Sequence, residues 1–268
     1  MNVREVTDIV LGLNGGRRIE KTCDQLIEGD WNAAVTGVVT TFMATVDVIN
    51  KTIKAGCNLI VTHEPTYFSG PDKLEWLQND PVYHKKKALI NDNHISIWRF
   101  HDHMHSGPAD LIYAGLLEQM GWTQYLNKGQ EKPHCYTIPP TTVTKLVEFL
   151  KKNLGMKVIR IVGDKGAKCS RVGILVGGGS LGLGIETMPA ALMNSDQLDV
   201  IVCGEITEWT LSAYVRDAAA MGFNKAMVIV GHERSEGPGM KGLAERLQPL
   251  LKGIPVHFVE AGEPFRYL

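Results

Sequence analysis

The sequence is poor in the features that mark several large classes of protein. No apolar run approaches the roughly 20 residues needed to span a bilayer, so no membrane helix is expected. Its 28 basic and 29 acidic residues leave a formal charge of -1. Without a basic footprint or a run of like charge, nucleic acid is not an expected partner. Cysteine is sparse: Cys23, Cys57, Cys135, Cys169 and Cys203 are odd in number, scattered and never spaced C-x-x-C. That argues against a disulfide framework or a thiolate zinc site and predicts buried free thiols. The N-terminal MNVREVTDIVLGL carries both charge signs with no cleavage-site pattern and reads as a capped helix of a cytoplasmic protein. Low-complexity segments and short-period repeats are missing too.

What is present is ordinary globular composition, 44% hydrophobic and 21% charged, arranged in alternation. Short runs rich in β-branched residues predict strands at Val35 to Thr41, Asn58 to Thr62, Ile95 to Phe100, Val172 to Val176, Asp199 to Cys203 and Ala226 to Val230. Amphipathic segments predict helices at Val46 to Ala55, Lys86 to Asn91, Ala109 to Met120, Thr142 to Asn153, Thr207 to Met221 and Gly239 to Leu251. Strands that need burial on both faces, joined by helical crossovers, imply an α/β fold with largely parallel sheets. The turn-rich stretch from Asn127 to Pro140 suits a boundary between lobes. The expected domains are residues 1–126 and 127–268, with the C-terminal segment able to pack back on the first lobe.

The chemistry-bearing residues gather at the carboxyl ends of these strands, the edge where open α/β sheets form their sites. His63 and Glu64 follow LIVT; His101, Asp102, His103 and His105 follow SIWRF; Glu205 and Glu208 follow VIVCG; His232 and Glu236 follow MVIVG. Each has a plain alternative. A lone histidine after a strand is more often a loop or core residue than a ligand. If strand geometry continues, His101, His103 and His105 share one face, as a set of metal ligands would. His232 and Glu236 share a face if a helix starts there, although Gly237 and Pro238 disfavour one. Glu205 and Glu208 read equally as first-turn capping carboxylates. Gly177, Gly179 and Gly182 stand in G-x-G-x-x-G order, but Gly184 extends the loop and no acid ends the next strand. The loop is therefore a poor dinucleotide fingerprint and either cradles an anion or makes a tight turn.

Taken together, NLIVTHEPTYF, the histidine-rich segment, DVIVCGEITEW and VIVGHERSEGPGMKGLAERL resemble, in order and separation, the four signature blocks of the Nif-three-like dinuclear-metal-centre family. Bacterial members of that family are often named GTP cyclohydrolase I type 2 homologues. The resemblance runs from about Val35 to the last helix. It implies two similar α/β lobes, a pair of metals in the cleft between them and a ring-shaped homohexamer.

Carried across by residue, the resemblance makes His63, Glu64, His105, His232 and Glu236 the metal ligands, with Glu236 as the bridge between ions. Two positions depart from the family pattern: Glu64 stands where a second histidine is usual, and His105 where an aspartate is usual. The departures compensate, since three histidines and two carboxylates survive the exchange. His101, Glu205 and Glu208 are then candidates for acid or base work. Asp102 and His103 are available as supporting groups or alternative ligands. Nitrogen and oxygen donors suit zinc, iron or manganese. The implied function is a metal-dependent hydrolase with two divalent ions per chain and a small-molecule substrate, a purine nucleotide by the family's name. The competing readings are a non-catalytic metal-bearing regulator or chaperone and, more distantly, a dehydrogenase.

Overall fold

The computed structural model describes residues 1–16, 18–126, 134–183 and 188–268. In chain order its principal elements are α1 (Val3–Leu13), β1 (Leu26–Glu28), β2 (Val38–Thr41), α2 (Val46–Lys54), β3 (Leu59–Thr62), α3 (Pro81–Asp92), β4 (Ser96–Arg99), α4 (Asp102–His105), α5 (Leu111–Met120), β5 (Cys135–Thr142), α6 (Val143–Leu154), β6 (Arg160–Gly163), β7 (Lys168–Leu175), α7 (Pro189–Ser195), β8 (Val200–Cys203), α8 (Leu211–Ala220), β9 (Ala226–Ile229), α9 (His232–Leu247) and β10 (Val256–Phe258). The chain divides into two compact units, Met1–Gly115 with Gly237–Ala261 and Leu116–Glu236 with Gly262–Leu268. The expected boundary stretch lies partly outside the described residues, as does Gly184. No helix among the described residues is long and apolar enough to cross a membrane.

Local chemistry accounts for the helix starts. Asn2 and Glu5 exchange side chain to backbone bonds of 2.9 Å in a capping box that opens α1. Thr45 caps α2, and Asp80 followed by a proline at the first position opens α3. That cap sets the start of α3 five residues before the predicted one.

In the first unit the strand order is β1-β4-β3-β2-β10, with β4, β3, β2 and β10 parallel and β1 antiparallel at one edge. Thr62 pairs with Arg99, so the residues after β3 and β4 emerge side by side. Leu59, Ile60 and Val61 are fully buried, each contributing about 1.5–3 kcal/mol by leaving water. Burial on both faces explains why the run lacks alternation. The C-terminal β10 belongs to this sheet, pairing with β2.

In the second unit the order is β5-β7-β8-β9-β6. Here β7, β8 and β9 are parallel and both edges, β5 and β6, run antiparallel. "Largely parallel" therefore holds for the first sheet, while the second is mixed. The edge strands β1 and β5 escaped the sequence reading because β1 is three residues long and β5 carries Pro139 and Pro140 inside a register shift, where proline is tolerated only at an edge or bulge. Leu175, Cys203 and Ile229 align across β7, β8 and β9. The loops bearing Gly177, Glu205 and His232 thus leave the same sheet edge.

Candidate metal centre

In the first unit, His63, His101 and His105 form one imidazole cluster. His63 is fully buried, and its ring stacks on His101 at 4.4 Å between centroids, with His105 5.1 Å from each. The three offer ligand nitrogens that all lie within 4.8 Å of one another. The tautomers follow from the bonds. His63 Nδ1 lies 3.2 Å from the Phe100 carbonyl, an acceptor only, so Nδ1 carries the proton and Nε2 the lone pair. His105 Nδ1 likewise meets Asp110 at 2.9 Å, and His101 Nδ1 meets Asp102 at 2.9 Å. A ring nitrogen held by a carbonyl or carboxylate while the other stays basic is the usual arrangement of a metal-ligating histidine. Burial, then the neighbouring His63, lowers the His101 pKa, and the nearby Glu64 only partly offsets this. That favours the neutral, ligand-competent form. Glu64 sits 3.6 Å from His101 Nε2 and 3.9 Å from the buried Arg99 guanidinium.

In the second unit, His232 lies between two carboxylates. Its Nδ1 is 3.0 Å from Glu205 and its Nε2 is 3.0 Å from the buried Glu236. A neutral imidazole has one N–H to give, so the second close carboxylate calls for a cation, either another ring proton or a metal ion. Gly177 lies against this pair at φ +51°, and a Cβ there would overlap the Glu236 carboxylate and come within 2.7 Å of His232 Nε2. Only glycine allows so close an approach. Its N–H donates to the buried Ser235 hydroxyl at 2.9 Å, and its carbonyl accepts from Glu205 N–H at 2.8 Å.

The family model described as Duf34/NIF3 (NGG1p interacting factor 3) matches residues 1–264. The chain belongs to the Duf34/NIF3 family. It is 25% identical over 241 residues to a Clostridium acetobutylicum protein named GTP cyclohydrolase 1 type 2 homolog, covering 87% of this chain and 84% of that one. A Clostridium perfringens protein of the same name is 25% identical over 258 residues, covering 91% and 90%. Among solved structures, a Bacillus cereus protein related to NIF3 superposes with a TM-score of 0.80 at 15% identity, covering 100% of this chain and 99% of that one. That likeness confirms the α/β fold.

Within this Duf34/NIF3 chain, the histidine-rich segment is not a continued strand. Residues 102–105 form the short helix α4, which brings His101 and His105 together and sends His103 elsewhere. His103 Nδ1 meets Asp24 at 2.7 Å, and its Nε2 accepts from Ile19 N–H at 3.1 Å. Both ring nitrogens are thereby used, so His103 anchors the segment and is not an alternative ligand. Asp102 Oδ1 lies 2.9 Å from His101 Nδ1. Burial alone would raise its carboxyl, but donors from Cys23, His101 and Thr22 hold it well below the ordinary carboxylate range.

Three further expectations change. The glycine loop is a tight turn: Gly179 N–H donates to Val176 and Gly182 N–H to Gly179, while that of Gly177 goes to Ser235. With all three donors spent inside the protein, Gly177, Gly179 and Gly182 do not cradle an anion. A helix does start at His232 despite Pro238 within it. The reason is packing, because a Cβ on Gly115 would sit 2.5 Å from the Pro238 carbonyl and one on Gly239 2.7 Å from Ile112. These glycines let α5 and α9 approach, and their cost in helix propensity is offset by that contact. Finally, Cys23 is half-buried, unlike the other four cysteines, although burial still pushes its thiol up to about 12.

Glu205 bonds His232, whereas Glu208 is exposed on the turn before α8. Two residues escaped the sequence reading altogether. Asp110 orients His105, and Asp24 accepts the backbone N–H groups of His101, Asp102 and His103 at 2.8, 2.7 and 3.1 Å. Asp110 follows the histidine segment by five residues and was within reach of a spacing argument. Asp24 lies nearly eighty positions upstream and carried no such signal.

Proposed function

We propose that this chain binds two divalent ions through His63, Glu64, His105, His232 and Glu236 and uses them for hydrolysis of a small molecule. The carrying observation is His232, held between Glu205 and Glu236 at 3.0 Å on either side, an arrangement that a cation completes. The donor set supports the same reading. Each candidate histidine has Nδ1 bonded to a carbonyl or carboxylate, which leaves Nε2 as the ligand nitrogen. With nitrogen and oxygen donors only, zinc, iron or manganese suits the set.

What the ions supply when bound is Lewis acidity, which polarises an attacked carbonyl, imine or phosphoryl group and acidifies water. The chain's own contribution is orientation. Asp110 fixes the His105 imidazole in one tautomer, Glu205 orients His232 through Nδ1, and the Gly177 loop seats the Glu236 carboxylate without a side chain intervening. Burial lowers the His101 pKa, and its ring lies 3.6 Å from Glu64, which suits it to accept and return a proton. The name carried by the clostridial relatives suggests a purine nucleotide as the substrate class. Assembly as a homohexamer in the cytoplasm is part of the same proposal.

Metal analysis of the purified protein tests it, the expected content being about two ions per chain for a clamp of this kind. His232→Ala and Glu236→Ala should each lower that content. Unchanged occupancy in both variants overturns the reading.

A further inference from the structure

The segments around Cys23 and His101 are laced together. Asp102 accepts from Cys23 N–H and from the Thr22 hydroxyl, both at 2.9 Å, while Asp24 holds the three N–H groups of residues 101–103. This fixes the place of the half-buried Cys23 thiol. Its Sγ lies 3.3 Å from Asp102 Oδ1, and His101 Nδ1 lies 2.9 Å from the same oxygen. Sulfur, imidazole and carboxylate offer ligand atoms all within 4.8 Å of one another. Around a tetrahedral zinc-sized ion, bonds of about 2.0–2.3 Å place neighbouring ligand atoms roughly 3.3–3.5 Å apart. The two spacings from Asp102 Oδ1, 3.3 Å to Cys23 Sγ and 2.9 Å to His101 Nδ1, are within a few tenths of an ångström of those values.

We propose that Cys23, His101 and Asp102 form a separate thiolate-bearing metal site that takes a borderline or soft divalent ion such as zinc. All three residues are partly exposed, so water supplies the fourth position. Binding exchanges protons for the ion without electron transfer. The sulfur–hydrogen proton leaves to solvent, and His101 moves its ring proton from Nδ1 to Nε2, where Glu64 faces it at 3.6 Å. Held in this way, His101 has no lone pair left for the cluster with His63 and His105. The site shares none of the five ligands proposed above, but occupying it takes His101 out of the proton transfer proposed for hydrolysis. It also differs in selectivity, because a thiolate favours zinc or cobalt over manganese.

Cobalt(II) titrated into chelator-treated protein distinguishes the two. A near-ultraviolet thiolate-to-cobalt charge-transfer band should appear, persist in His105→Ala and vanish in Cys23→Ser, while visible absorption from nitrogen- and oxygen-bound cobalt remains in Cys23→Ser. A wild-type protein saturated with cobalt that shows no such band, or a band that survives Cys23→Ser, overturns the proposal. The unaltered protein gives a second measurement. Alkylation of Cys23 by iodoacetamide, read by mass spectrometry, should slow in proportion to occupancy as cadmium is added; a rate indifferent to saturating cadmium overturns the proposal as well.

Discussion

Replacing Asp110 first by asparagine and then by alanine separates two tasks of one carboxylate. Oδ2 accepts from His105 Nδ1 at 2.9 Å, and Oδ1 accepts from the N–H groups of Ile112 and Tyr113 at 2.9 and 3.0 Å, closing the start of α5. Asparagine caps a helix about as well as aspartate, so Asp110→Asn should leave stability within about 0.5 kcal/mol, whereas alanine loses the cap and about 1 kcal/mol. Metal affinity should respond differently. A partner that orients a ligating histidine is worth roughly 10–100-fold in affinity. With its one oxygen held by the cap, asparagine turns its amide N–H toward His105 Nδ1 and favours the tautomer protonated at the ligand nitrogen, so the high end applies, about 100-fold or about 2.8 kcal/mol. Alanine, which imposes no tautomer, should cost less than that. The assay is competition with a chromogenic chelator for affinity, beside thermal unfolding of the metal-free protein for stability. If Asp110→Asn binds metal as tightly as the parent while Asp110→Ala is merely less stable, Asp110 is only a helix cap and the argument from tautomers fails at His105.

Gly177→Ala should lower both stability and metal content, because its φ of +51° costs a side-chain-bearing residue roughly 1–2 kcal/mol and its Cβ overlaps Glu236; full metal content in this variant would show that the carboxylate seat is not as tight as drawn. Lys86 tests the electrostatics of the first unit: burial, opposed by Asp72, lowers its ammonium from 10.5 to about 8. Below the folded pKa both states are charged and the fold bears the full burial cost; between the folded and unfolded values the folded state sheds its proton first, so this residue's contribution to stability rises with pH. Lys86→Met should flatten that rise in urea midpoints measured between about pH 8 and pH 10, and an unchanged slope would count against it.

The strands that carry the site were legible because burial on both faces leaves an unmistakable mark. LIVT in β3, VIVC in β8 and AMVI in β9 are apolar throughout or nearly so, and a polar residue directly after such a run must lie at the sheet edge. The histidine segment was misread for the opposite reason. Alternation of His101, His103 and His105 is a local pattern, but the turn that replaces the strand is imposed by Asp24, whose carboxylate gathers three backbone donors from far along the chain. No window of sequence around residue 101 contains that information. The helix from His232 was hidden in a similar way, since Gly237, Pro238 and Gly239 look like a break until their packing against Gly115 and Ile112 is known.

The proposed exchange between positions 64 and 105 must be reconsidered once Asp110 is in view. Counting ligands alone, Glu64→His with His105→Asp restores the family's pattern and the charge of the set, so the double variant should recover metal content beyond the sum of the single losses. His105, however, brings a partner: its Nδ1 rests 2.9 Å from Asp110. An aspartate at position 105 places a carboxylate oxygen about where that nitrogen stood, and two carboxylates in contact disfavour each other's charge. The double exchange should therefore recover only part of the metal content, and adding Asp110→Asn, which removes the repulsion and keeps the cap, should recover more. The measurement is metal stoichiometry and affinity across the two single variants, the double and the triple. If the double variant already recovers fully, Asp110 does not bear on the site; if the single losses simply add and the triple gains nothing, positions 64 and 105 serve different ions and the apparent compensation in the sequence is coincidence.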